Sequence, residues 1–248
     1  TKGDRNRVDF YRAGERDFKY IKYEKSLIHN TAIIAREGQN IIGVLEYEIK
    51  NIEEAEIINF DMVKSCREHL VFKGLIDEIV YWNPYLKRIT YNKDNKFVAD
   101  DTLMYAGFVR NDIWSLDINN AVEVFKIAIE EIIPEQLTVD GTKIDRVSPW
   151  IEKPDDVVVC CVKIGNKIVC IDGYSRLIDA YNKGFNYVFA YLETDNHNIE
   201  FYKTCMKWCE EENILRIKDL ADRVVTPEEH ERLWISRCQA YLKENKKS

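Results

Sequence analysis

The sequence predicts an α+β protein of two domains, residues 1–130 and 131–248. The first reads as a mixed sheet with flanking helices, the second as an α+β fold with a helical tail. Two observations carry this. β-rich runs alternate with helix-spaced runs on both sides of residue 130, and a Gly165-Asn166 dipeptide between two apolar runs is a strong hairpin signal. The tail beyond residue 199 shows only helical spacing.

In chain order, residues 1–20 are charged and irregular, with room for one edge strand. Leu27–Arg36 and Ile41–Ile49 flank Glu37-Gly38-Gln39-Asn40 and read as a hairpin, followed by a strand over Ala55–Met62. Cys66–Trp82 carries Leu70, Leu75, Ile76, Ile79 and Val80 at helical spacing, and Asn83-Pro84 stops it. Leu86–Tyr91 is a strand, Asp101–Ala106 a helix ending at Gly107-Phe108, and Asp112–Leu116 a further strand. Val122, Phe125, Ile129 and Ile132 predict a helix over Ala121–Ile129 behind an N-cap-type Asn119.

The second domain continues with a helix over Lys143–Ile151, strands over Val157–Ile164 and Lys167–Ile171, a helix opening at Arg176 and ending at Gly184, and a strand over Val188–Leu192. In the tail, Phe201, Tyr202, Cys205, Trp208 and Cys209 mark one helix face. Thr226-Pro227-Glu228-Glu229 combines a capping box with proline at the first helical position, opening a helix to about Leu242. Its stripe of Leu233, Trp234, Arg237, Cys238 and Tyr241 reads as packing against the domain before it.

The formal charge of −7 argues against a nucleic acid held by bulk electrostatics. No apolar run reaches membrane-spanning length, so no membrane is expected as partner. Seven cysteines, several inside apolar runs such as Val159-Cys160-Cys161-Val162, predict reduced, buried thiols and a cytoplasmic location. Cys205 and Cys209 stand one helical turn apart with His197 near in sequence, but no second ligand pair of standard spacing accompanies them, and no metal is expected.

The functional signal is Asp172-Gly173-Tyr174-Ser175-Arg176, where a strand feeds a glycine turn and a helix N-terminus. Unpaired amides and the helix dipole favour an anion there, and the fork of Arg176 suits phosphate. The competing reading is an ordinary joint in which Asp172 and Ser175 merely cap the helix.

Two resemblances add to this. Residues 20–118, through Ile41-Ile42-Gly43-Val44, the helix after Met62 and Ala106-Gly107-Phe108, resemble the GNAT acetyltransferase fold. That resemblance implies acetyl-CoA as cofactor and, at Glu46 or Glu48, a conventional place for a general base. Leu70 and Phe72, however, occupy the glycine positions of the pyrophosphate loop, and Tyr105 stands two residues before Gly107, so it is not assigned as general acid. Residues 131–193, with Pro134-Glu135-Gln136, the hairpin and Asp172–Arg176, resemble the ParB/sulfiredoxin-like family and its free serine kinases. That resemblance implies ATP or ADP with Mg²⁺, held by Gly173, Tyr174, Ser175 and Arg176. Asp172 would position a hydroxyl or the metal, and Glu135 would act as base on a small-molecule substrate such as a free amino acid. Tyr174 stands where sulfiredoxins carry cysteine and the kinases histidine. The expectation is a nucleotide-binding protein acting as a phosphotransferase. The alternatives are a non-catalytic regulatory protein and an acetyl-CoA-dependent N-acetyltransferase.

Overall fold

The computed structural model describes residues 8–29, 31–63, 67–92, 97–193 and 198–245. The chain divides into two compact units, Thr1–Val122 and Glu123–Ser248.

The first unit is a seven-stranded sheet in the order β1-β2-β3-β4-β5-β7-β6. Its strands are β1 (Val8–Arg12), β2 (Ala32–Glu37), β3 (Asn40–Asn51), β4 (Glu54–Met62), β5 (Arg88–Tyr91), β6 (Val109–Arg110) and β7 (Trp114–Asp117). β4 and β5 pair in parallel and the other neighbours antiparallel. A parallel pair needs a crossover, and α2 (Glu68–Trp82) supplies it with Val71, Phe72, Leu75, Ile76 and Ile79 buried. Gly74 of α2 lies under the Phe10 ring, whose nearest carbon would stand 2.2 Å from a Cβ at that position. The hairpin expected from Leu27 begins later. α1 (Glu24–His29) takes Leu27, and the strand starts at Ala32. The difference comes from a distant side chain, because the Glu46 carboxyl fixes the Lys22 and Tyr23 amides that lead into α1. α3 (Asp100–Tyr105) completes the unit.

The second unit holds a five-stranded sheet in the order β8-β13-β11-β12-β9. These strands are β8 (Val124–Ala128), β9 (Ile132–Ile133), β11 (Val158–Ile164), β12 (Lys167–Asp172) and β13 (Tyr187–Leu192). The helix expected over Ala121–Ile129 is therefore a strand. Its β-branched and aromatic residues pair with β13 from Val124↔Tyr191 to Ala128↔Tyr187, a partner far along the chain that local spacing does not register. β8 and β9 are adjacent in sequence yet form opposite edges. From Ala128 to Ile132 the chain can span at most about 14 Å. The outer strands of a flat five-stranded sheet stand about 19 Å apart. The sheet therefore curls, bringing its edges together.

Around it lie α4 (Gly141–Val147), α5 (Tyr174–Asn182), α6 (Ile199–Glu211) and α7 (Ile217–Ala221). A parallel two-stranded pair, β10 (Val139–Asp140) with β14 (Val224–Val225), ties the tail back. α8 (Pro227–His230) opens on the Thr226 capping box and passes through a π turn (Glu231–Ile235) into α9 (Ser236–Asn245). Cys205, Cys209 and Trp234 join Val159, Cys161, Cys170, Leu177 and Ile178 in one core, so the tail's aromatic stripe packs within its own unit. No helix among the described residues is long and apolar enough to cross a membrane.

Candidate functional site

The turn between β12 and α5 is built around Gly173, which sits at φ +100° as the N-cap. A Cβ there would lie 3.0 Å from Val159 Cγ1 and 2.9 Å from Arg176 Nη2, so glycine is required by both conformation and space. No side chain caps the helix, and its first internal bond runs from the Leu177 amide to the Gly173 carbonyl at 3.0 Å. The amides of Tyr174, Ser175 and Arg176 thus belong to the unbonded first turn. Arg176, 28% exposed at its side chain, lies 3.6 Å from the Asp172 carboxylate, itself 79% exposed. Backbone donors and one guanidinium converge here, with a single exposed acid beside them.

Two of the residues singled out from sequence sit elsewhere. Tyr174 is buried, and its hydroxyl donates to the Cys170 carbonyl at 2.6 Å and accepts from the Glu135 amide at 2.8 Å. Burial pushes the phenol far above its ordinary value. The ring is core, and the hydroxyl is a clamp between the Pro134-Glu135 segment and β12. Tyr174→Phe would strand both backbone partners in a dry interior, at a cost of about 1–3 kcal/mol. A chemical-denaturation midpoint measures it.

Glu135 is 4% exposed, and its carboxyl lies against Cys205 while Oε2 has no hydrogen-bond partner. Burial raises its pKa well above the ordinary carboxyl value. Contact with Cys205 works in the other direction but does not offset it. Beyond it, the Cys205 and Cys238 thiols are within hydrogen-bonding reach of each other. Sequence reasoning grouped Cys205 with Cys209 and His197 instead. Cys209 is buried in the core, and His197 lies outside the described residues. Among the described residues no three His, Cys, Asp or Glu side chains converge as metal ligands. The available signal was the matching position of Cys205 and Cys238 on two helix stripes.

A cleft of about 420 Å³ opens at the other end of α5, lined by residues including Ile129, Tyr181, Phe185, Arg216 and Lys218. None of Asp172–Arg176 lines it.

In the first unit, Glu46 is fully buried and accepts from the Lys22 amide at 3.0 Å, the Tyr23 amide at 2.9 Å and Asn59 Nδ2 at 2.8 Å. Glu48 pairs with Lys25 at 3.4 Å and Lys50 at 3.1 Å. Partial burial works against its ionisation, yet the two lysines prevail and hold its pKa below the ordinary range. Of the residues at the expected glycine positions, Leu70 is 48% exposed and Phe72 is buried edge-on against Phe60 at 5.0 Å. Residues 64–66, which lead into α2, lie outside the described residues. Tyr105, 53% exposed, stands edge-on to His69 with ring centroids 4.5 Å apart. The parallel pairing of β4 with β5 ends at Ile57↔Tyr91, while β4 runs on to Met62. β5 itself ends at Tyr91.

No family model and no curated protein matches the sequence. Among solved structures, the chain is similar to the protein Atu1540 from Agrobacterium tumefaciens, with 15% identity over 42% of this chain and a TM-score of 0.28. The match spans 62% of that protein's length. It is also similar to a GNAT-family acetyltransferase from Bacillus cereus, with 13% identity over 45% of this chain and 98% of that one, TM-score 0.34. A third likeness is to Ard1 from Thermoplasma volcanium, with 12% identity over 45% of this chain and 97% of that one, TM-score 0.33.

Proposed function

We propose that the second unit binds a small ligand by a phosphate group at the Gly173–Arg176 turn, with ATP or ADP as the ligand class. The observation that carries this reading is the uncapped first turn of α5 beside the Arg176 guanidinium, entered through a glycine that no side chain can replace without strain. The helix dipole and the amides favour an anion, and Arg176 supplies the countercharge. Asp172, exposed at the rim, would hold Mg²⁺, which would neutralise phosphate oxygens. Transfer of that phosphate to a hydroxylated metabolite, with Glu135 as base, is not supported by an enclosed carboxyl facing Cys205. The reading is therefore ligand binding without turnover, which suits a regulatory protein. In thermal shift, ATP or ADP with Mg²⁺ is expected to raise the melting temperature of the native chain, and Arg176→Ala to abolish that rise while leaving the ligand-free melting temperature within about 1–2 °C, as for a surface change. An undiminished shift in the variant rejects the reading.

A second reading, acyl transfer from acetyl-CoA by the first unit, is favoured by one observation. Ligands of sheets with parallel strands commonly lie beyond the strands' carboxyl ends, and the parallel pair β4–β5 ends at Ile57↔Tyr91 while β4 runs on to Met62. Saturable heat on titrating acetyl-CoA into the protein is the expected result. A flat titration at millimolar ligand closes this reading.

A further inference from the structure

We infer that Cys205 and Cys238 form a redox-active pair that closes to a disulfide on reaction with hydroperoxides. The pair does not depend on the ligand proposed at the α5 turn.

Geometry is the first support. Cys205 on α6 and Cys238 on α9 are within hydrogen-bonding reach, although 33 positions separate them in sequence. Ring contacts bracket them on both sides. Phe201 of α6 meets Tyr241 of α9 with centroids 5.6 Å apart, and Trp208 of α6 meets the same Tyr241 at 5.8 Å. These contacts hold the two helices against each other on either side of Cys205, and Cys238 packs against the core that contains Cys205.

Asymmetry is the second. Cys205 is completely buried, whereas Cys238 is half-buried and reachable from solvent. The hydrogen bond from Cys205 holds the Cys238 thiol below its ordinary pKa, and the Arg237 charge helps. The same contact, with burial, pushes Cys205 up. The outer sulfur is thus the better nucleophile and the inner one the resolving thiol.

Glu135 is the third. Its buried carboxyl, with Oε2 unpartnered, lies against Cys205, an arrangement that apolar packing alone does not explain.

The chemistry balances as follows. The Cys238 thiolate attacks the outer oxygen of a hydroperoxide ROOH. An S–O bond forms, the O–O bond breaks, and the alkoxide leaves as ROH after taking a proton from water. The sulfenic acid on Cys238 is then attacked by the Cys205 sulfur. The S–S bond forms, the S–O bond breaks, and hydroxide leaves as water with the Cys205 proton, for which Glu135 is the adjacent relay. Two electrons pass from the sulfur pair to the peroxide, and an external thiol reverses the change.

Hydrogen peroxide at micromolar concentration on the reduced full chain tests this, followed by alkylation and non-reducing peptide mass spectrometry. The expected product is a Cys205–Cys238 linkage that dithiothreitol reverses, formed at least tenfold faster than modification of any other cysteine. Trp208 and Trp234 flank the pair, so quenched indole fluorescence should follow the same time course. Cys205→Ser should leave a sulfenic acid on Cys238 that dimedone traps. If that variant does not fold, dimedone added to the native chain during oxidation should label Cys238 at the expense of the linkage. Absence of the linkage, its appearance no faster than other oxidations, or preferential bonding of Cys161 to Cys170 overturns the inference.

Discussion

Glu46→Ala is expected to destabilise the first unit by about 3–5 kcal/mol, since three donors each lose a buried acceptor at about 1–3 kcal/mol apiece, less than additively. The three donors are the Lys22 and Tyr23 amides and the Asn59 amide group, and Glu46 itself is fully buried. The damage should concentrate where the chain enters α1, because the Lys22 and Tyr23 amides fix that entry to β3. Hydrogen exchange at residues 21–27, with a denaturation midpoint, measures both effects. A change below about 1 kcal/mol would mean that the carboxyl is not structural. Its place as a general base in the acyl-transfer reading would then reopen.

Glu135→Gln is expected to change the pH dependence of the second unit's stability. The folded-state pKa of Glu135 is raised well above 4.5 by burial, with the Cys205 contact opposing. Above about pH 4.5 the unfolded chain releases this proton while the folded chain keeps it. Stability is therefore full below that pH and is lost as pH rises toward the folded value, by about 1 kcal/mol per pH unit across the window. Glutamine cannot ionise, so the variant should lack this decline and exceed the native protein in stability at pH 8. Urea midpoints at pH 5 and pH 8 decide the matter, and parallel curves for the two proteins would remove the buried titration.

What was legible in the sequence was what short-range chemistry dictates. The Gly165-Asn166 turn between β11 and β12 is set by two residues, Gly165 taking φ +64°. The Thr226 side chain accepts from the Glu229 amide as the capping box requires. The glycine at position 173 likewise announced a tight turn. Longer-range relations were not legible. β8 is a strand because β13 lies beside it. Tyr174 points inward because the Glu135 amide and the Cys170 carbonyl both need a partner. Glu46 as a cap for a distant segment, and Cys238 beside Cys205, follow from tertiary placement that no spacing rule encodes.

The curled sheet of the second unit also bears on how the chain is made. β8 leaves the ribosome first, yet its partner β13 follows roughly sixty residues later. Until then Val124–Ala128 has an unsatisfied edge on both sides. The β11–β12 hairpin can form early because its contacts are local. Closure of the sheet waits for Tyr187–Leu192, and only afterwards can α6 and α9 settle and bring their thiols together. During synthesis the nascent second unit therefore spends its longest interval with an open β edge, the stage at which a chaperone would have most to protect.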